Sequence, residues 1–303
     1  MTTTAVPGEN DPKEAAETKL PVSYRRFDCT AGDPSHNAEA TEAARRAIEA
    51  GECIVLPTDT VYGIGVDAFS AKAVQRLLDA KQRGRDMPPP VLIGESTLIR
   101  ALAVDVPETA KDLVEKHWPG ALTVICRIQP SLRMDLGETE GTIALRVPDH
   151  ELTREILRRT GPMAVSSANI SGRPAALTCD EAIEQLGDSV AIYIDGGALS
   201  DASGAPSTIV DFTRNEDGQV LRRGAISVET LRETAPDLLD VIEKGKVAEQ
   251  SPSTASGRSQ DEDDSSKGAA ENQDVDESSH RAGENQDEAR ASNGSGSTPA
   301  AGG

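Results

Sequence analysis

With 303 residues, a formal net charge of −20 and only 2% aromatic residues, the chain is poorly suited to non-specific DNA binding, which depends on Lys and Arg set against phosphates. Hydrophobic residues make up 37% of it and are scarce at both ends, so the folded part is shorter than the whole. No charged leader with an apolar run opens the sequence, and no apolar stretch approaches the roughly 18–20 residues of a membrane span, so a soluble, cytoplasmic protein is expected.

Residues 1–20 are polar with scattered Pro, Gly and Glu and read as a segment without fixed structure. Residues 21–246 then alternate between helical and extended patterns. Ala38–Ala50 carries apolar positions on one helical face and ends at Gly51, while Cys53–Pro57 is a short buried strand entering a Thr-rich turn. Helical spacing returns over Ala71–Lys81 through Val74, Leu77 and Leu78, followed by a strand at Val91–Ile93. Pro107–His117 reads as a helix stopped by Trp118-Pro119-Gly120. Leu122–Arg127 and Thr142–Val147 are rich in β-branched residues and read as strands. A helix over Glu151–Thr160 leads to a strand at Met163–Ser166, then a helix at Cys179–Leu186 and a strand at Ala191–Asp195. Ser207–Asp211 and Gln219–Arg222 form a closing strand pair, and Glu229–Ile242 reads as a last helix.

This interleaving predicts a single α/β domain with an open, twisted mixed sheet and flanking helices. The intervals are too irregular for a (β/α)8 barrel, and no G-x-G-x-x-G follows the first strand. Residues 247–303 hold twelve acidic against four basic side chains among Ser, Gly, Asn and Gln, and read as an acidic disordered tail. The four cysteines, Cys29, Cys53, Cys126 and Cys179, are far apart and unpatterned, which predicts reduced thiols rather than a zinc site or a disulfide framework.

Three segments carry chemistry. In Leu56-Pro-Thr-Asp-Thr-Val-Tyr-Gly63-Ile-Gly65 a strand delivers hydroxyls and glycines. Thr58 and Thr60 there suit a ligand, and equally a capped turn in which Gly63 and Gly65 take special dihedrals. Lys81-Gln-Arg83-Gly-Arg85 crowds three cations at a helix end before a Pro run. Such cations complement a helix dipole, but the rigid Pro clamp favours an anion pocket. Ala164-Val-Ser-Ser-Ala-Asn-Ile-Ser-Gly172 offers uncharged donors and acceptors. A catalytic serine would want a G-x-S-x-G elbow and a histidine base, and none of the four histidines falls in these segments. Arg146, at a strand end, suits either a surface ion pair or a fork onto a carboxylate. Ser207-Thr208 and Arg222-Arg223 add another hydroxyl pair and another basic pair. Five segments of one style predict one composite site.

Taken in order, these segments resemble the YrdC-like family over roughly Ala38 to Ala225. Pro57-Thr-Asp-Thr-Val-Tyr-Gly63 is similar to its P-T-x-T-x-Y-G, Lys81-Gln-Arg83 to its K-x-R and Ser167-Ala-Asn169 to its S-x-N. Trp118-Pro-Gly-Ala-Leu-Thr123, Arg146-Val-Pro, Ser207-Thr208 and Leu221-Arg-Arg-Gly224 also correspond. The resemblance implies an open, twisted α/β sheet around a large, positively lined central cavity. It implies a threonylcarbamoyl-AMP synthase, a nucleotidyltransferase that joins L-threonine, bicarbonate and ATP, releases pyrophosphate and feeds a separate tRNA-modifying transferase complex. By motif, Lys81 and Arg83 would hold the phosphates and act catalytically. Thr142, Ser167, Asn169 and Arg222 would line the nucleotide side, and Thr60, Arg146 and Ser207 would hold threonine. Mg²⁺ is expected with the triphosphate, and the motifs contain no acidic metal cluster. Where many relatives carry an Asn and a His after K-x-R, this chain has Met87 and Leu92. A paralogue acting on another carbamoyl or nucleotide substrate, and an RNA-binding protein using the basic cavity, are the alternative readings; the acidic body and sparse aromatics weigh against the second.

Overall fold

Strands β1 (Arg25–Asp28), β2 (Ile54–Leu56), β3 (Gly63–Asp67), β4 (Val91–Leu92), β5 (Ala103–Val104) and β6 (Leu122–Ile128) come from the first half of the folded chain. The second half supplies β7 (Thr142–Arg146), β8 (Met163–Ser167), β9 (Ile192–Asp195), β10 (Thr208–Asp211), β11 (Gln219–Arg222) and β12 (Leu239–Asp240). The helices are α1 (Pro34–Glu49), α2 (Ala71–Ala80), α3 (Ile99–Leu102), α4 (Glu108–His117), α5 (Glu151–Thr160), α6 (Cys179–Leu186) and α7 (Val228–Arg232). These elements belong to a computed structural model that describes residues 23–199 and 204–242. The stretches 1–20 and 247–303, read from the sequence as unstructured, lie outside the described residues.

The strands join one mixed sheet in the order β1-β9-β2-β3-β8-β4-β7-β6-β10-β11-β12, with β5 added against β6. The sheet mixes parallel pairs such as β2/β9 and β4/β7 with antiparallel pairs such as β3/β8 and β6/β7. The period-two geometry of a strand sends neighbours to opposite faces. In β2, Ile54 and Leu56 join a core with Ala44 and Ile48 of α1 and Ile156 and Leu157 of α5. Val55 between them joins the larger core on the other face with Leu77 and Leu78 of α2. Both faces are therefore covered, and the strands read as apolar runs rather than alternating ones.

Local chemistry sets the helix ends. Asp33 caps α1 by accepting the Ser35 N–H at 2.8 Å, with Pro34 at the first helical position. Thr178 and Glu181 close a reciprocal capping box on α6. His150 caps α5, its Nδ1 accepting the Thr153 N–H at 3.4 Å.

Two features differ from the sequence reading. The last helix, expected over Glu229–Ile242, ends at Arg232, because Pro236 has no N–H for a helical bond and biases Ala235 away from helix. The stretch from Gly63, read equally as a ligand-facing segment or a capped turn, is strand β3. Its glycines make room for the neighbouring strand: a Cβ on Gly63 would stand 2.7 Å from Val165 Cγ1, and one on Gly65 2.6 Å from Met163 Cε.

Candidate active site

Turns and strand ends far apart in sequence surround one cleft of about 1080 Å³, counting its open mouth. Thr58 and Thr60 enter it just after β2, and Arg83 just after α2. Thr142 and Arg146 come from the two ends of β7, and Ser167 from the end of β8. Ser207 precedes β10 and Arg222 closes β11. Seven of the nine site residues predicted from sequence thus line a single cavity.

Three arginines face this space. Arg146 is nearly buried: Nη2 donates to Asp59 Oδ1 at 2.5 Å, Nη1 to Thr60 Oγ1 at 3.0 Å and Nε to the Gly120 carbonyl at 2.9 Å. Burial pushes its pKa down and Asp59 pulls it back up. Arg222 donates from Nε and Nη2 to the Ser207 carbonyl at 3.1 and 2.8 Å. Arg222 is exposed at the cleft mouth, where partial desolvation of its guanidinium, with the nearby charges of Arg146 and Arg83, lowers its pKa. Arg83 donates from Nη1 to Ser166 Oγ at 3.0 Å, and its buried Nε meets no partner among the described residues. Of the three, Arg146 alone pairs with a carboxylate among the described residues. Arg83 and Arg222 face the cleft with no carboxylate in direct ion-pair contact among the described residues, Asp86 acting on Arg83 only at longer range, and such a pair suits an anion.

Uncharged groups complete the lining. Thr58 Oγ1 shapes the turn by accepting the Thr60 and Val61 N–H groups at 3.1 and 3.2 Å and donating to the Val61 carbonyl at 2.6 Å. Ser207 Oγ lies 2.7 Å from Thr123 Oγ1. Thr142 Oγ1 donates to the Thr139 carbonyl at 2.7 Å. No histidine lines the cleft among the described residues.

Lys81 and Asn169 lie beneath the cleft surface rather than on it. Lys81 is 1% exposed, and Nζ donates to the Ser167 and Asn169 carbonyls at 2.5 and 2.7 Å and to Asn169 Oδ1 at 3.3 Å. An ammonium has three N–H groups, so this geometry occupies all of them. Burial, and secondarily Arg83, brings the Lys81 pKa down to about 8. Asn169 Nδ2 donates to the Ile170 and Arg173 carbonyls, tightening its own loop. Leu92 is 3% exposed, lines the cleft and stands in register with Arg146 on β7, whereas Met87 is exposed.

Sequence reasoning did not single out Asp59, Ser166, Leu136 or Thr139. Asp59 had a signal, an acidic residue between two threonines of the first motif. Leu136 and Thr139 had none, because they arrive from a loop over 129–141 without apolar periodicity.

A family model described as telomere recombination (Sua5/yciO/yrdC) matches residues 46–224. A Mycobacterium tuberculosis (strain H37Rv) protein with the provisional name threonylcarbamoyl-AMP synthase is 48% identical over 207 residues, 68% of this chain and 93% of its own length. Threonylcarbamoyl-AMP synthase of Bacillus subtilis (strain 168) is 34% identical over 201 residues, 65% of this chain and 57% of its own. The solved structure of P. abyssi Sua5 complexed with L-threonine aligns with a TM-score of 0.62 at 29% identity, covering 67% of this chain and 59% of that one.

Proposed function

The chain belongs to the Sua5/YciO/YrdC family, and from that membership we propose that it is an L-threonylcarbamoyladenylate synthase, a nucleotidyltransferase. The observation that carries the reading is the convergence of Arg83, Arg146 and Arg222 on a hydroxyl-lined cleft with one carboxylate partner among them. The cleft volume suits a nucleotide with an amino acid rather than an RNA duplex.

In this reaction the threonine amine captures bicarbonate as a carbamate with loss of water, and a carbamate oxygen attacks the α-phosphate of ATP. The P–O bond to the β-phosphate breaks and pyrophosphate leaves. Such a step requires alignment and neutralisation of developing charge more than proton transfer, which agrees with a lining of cations and hydroxyls. Arg83 and Arg222 supply the phosphate-facing charge. Thr142 and Ser167 line the nucleotide side, and Lys81 with Asn169 fixes the segment that carries Ser167. Threonine is held by Thr60, Arg146 and Ser207, with Arg146 facing its carboxylate through the N–H groups left over from Asp59, Thr60 and Gly120. The structural likeness to P. abyssi Sua5 solved with L-threonine supports threonine as a substrate.

Mg²⁺ is expected to arrive with the triphosphate. Among the described residues no group of three or more His, Cys, Asp or Glu could hold it, and Asp59 is already committed to Arg146. Among the described residues no helix is long and apolar enough to cross a membrane. The product would pass to a tRNA-modifying transferase complex.

The test is pyrophosphate release from ATP with L-threonine and bicarbonate, each omitted in turn. Release that requires both co-substrates is the expected result. ATP binding with no threonine-dependent release would overturn the assignment.

A further inference from the structure

The basic run Lys81-Gln-Arg83-Gly-Arg85 carries three cations, and the reaction outlined above uses only two of them. Arg85 does not line the cleft; it reaches the loop over 129–141 that joins β6 to β7. Its Nη2 forms an ion pair with Asp135 of that loop, and its Nη1 reaches Gln75 Oε1 on α2 at 3.3 Å. The main chain repeats the link: the Arg85 carbonyl accepts the Glu138 N–H at 2.9 Å. Gly137, at φ +112°, lies so close that a Cβ there would stand 2.5 Å from the Arg85 oxygen.

What this loop brings to the cleft is specific. Leu136, 3% exposed, and Thr139 both form part of its wall. The Thr139 carbonyl in turn receives the Thr142 N–H at 2.9 Å and Oγ1–H at 2.7 Å, so the loop also fixes a hydroxyl assigned to the nucleotide side. Arg83 and Arg85 are two residues apart, and one short turn therefore bears on both a cleft-lining cation and the wall formed by Leu136 and Thr139.

We infer that Arg85 is a positioning residue that straps residues 135–139 against the K-x-R turn and so closes the nucleotide side of the cleft. The inference rests on the nucleotide assignment for its kinetic consequence, but not for its structural one. The Arg85–Asp135 pair is part-exposed, with side chains 40% and 50% accessible, so its removal loosens the wall rather than unfolding the domain.

The experiment compares the full-length protein with Arg85→Ala, Gly137→Ala and the exchanged pair Arg85→Asp/Asp135→Arg. Hydrogen exchange of the peptide covering 135–139 is followed without nucleotide, and pyrophosphate release is followed across ATP and threonine concentrations. Exchange in Arg85→Ala should accelerate about five-fold, the order expected for one exposed ion pair coupled to a backbone hydrogen bond. The KM for ATP should rise by a similar factor, with kcat and the KM for threonine within about two-fold. The exchanged pair should recover most of both effects, and Gly137→Ala should exceed the Arg85→Ala effect. Unchanged exchange at 135–139, or an exchanged pair no better than the single variant, overturns the strap. If the wild-type protein released no pyrophosphate, the synthase reading would fail while the exchange comparison still decided the strap.

Discussion

Arg146 and Asp59 form a nearly buried ion pair beside the cleft, with Nη2 and Oδ1 2.5 Å apart and side chains 7% and 16% exposed. Asp59 Oδ1 also accepts the Asp149 N–H at 3.0 Å, so one carboxylate ties the first motif to the turn after β7. Removing one partner of such a pair strands the other charge in low dielectric. Asp59→Ala should therefore cost on the order of 3–5 kcal/mol in urea unfolding. A loss below about 1 kcal/mol would mean that Arg146 finds water or another acceptor, and that the pair does not anchor the site.

Arg83 illustrates the opposite balance. It is half-buried, lies near Arg222 and meets Ser166 as its one side-chain hydrogen-bond partner among the described residues. Arg83→Met removes a repulsive charge while keeping most of the packed stem, so the thermal midpoint should hold or rise. Pyrophosphate release should fall about 100-fold or more, the scale of losing one preorganised donor to developing charge. Lower stability together with near-normal release would contradict both halves of this expectation.

Lys81 gives a pH dependence whose sign follows from linkage. Its pKa is about 8 in the folded protein against 10.5 for the free side chain. Below pH 8 both folded and unfolded chains hold the proton, and the full cost of burying the ammonium is present. Between those two values the folded protein binds fewer protons, so this contribution to stability improves as pH rises. Wild type should gain about 1–2 kcal/mol on Lys81→Met between pH 7.5 and 9.5 in urea midpoints. Release activity should decline over the same range in wild type, as the clamp on the Ser167 and Asn169 carbonyls loses its charge. A stability difference that stays flat with pH would show that the ammonium keeps its proton.

Much of this architecture was legible because it follows from local rules. The spacing of Val74, Leu77 and Leu78 identifies α2, and hydroxyls and cations following strands mark the segments that meet at the cleft. Strand β3 was not legible, since Gly63 and Gly65 owe their identity to Val165 and Met163 about a hundred positions later. Strand β1 hid for a related reason: Arg25, Arg26 and Asp28 are charged, and Phe27 alone turns inward at the sheet edge. In the site, residue types were readable but their commitments were not. The sequence marks Lys81 as a cation, but only the fold turns it onto backbone carbonyls; likewise nothing local pairs Arg146 with Asp59.

The sheet order has a kinetic side. The first strand lies beside the ninth and the sixth beside the tenth, and cleft residues run from Thr58 to Arg222 along the chain. Contacts this remote in sequence must each overcome the entropy of closing a long loop before they stabilise anything, which makes for slow folding. A chain lacking either end of that span cannot bring Thr60, Arg83 and Arg222 together, so a nucleotide bound in the cleft would recognise only the folded domain. Added during refolding, it should leave the folding rate untouched and act by slowing escape from the native state. Occupancy of the cleft would then extend the protein's lifetime without hastening its birth.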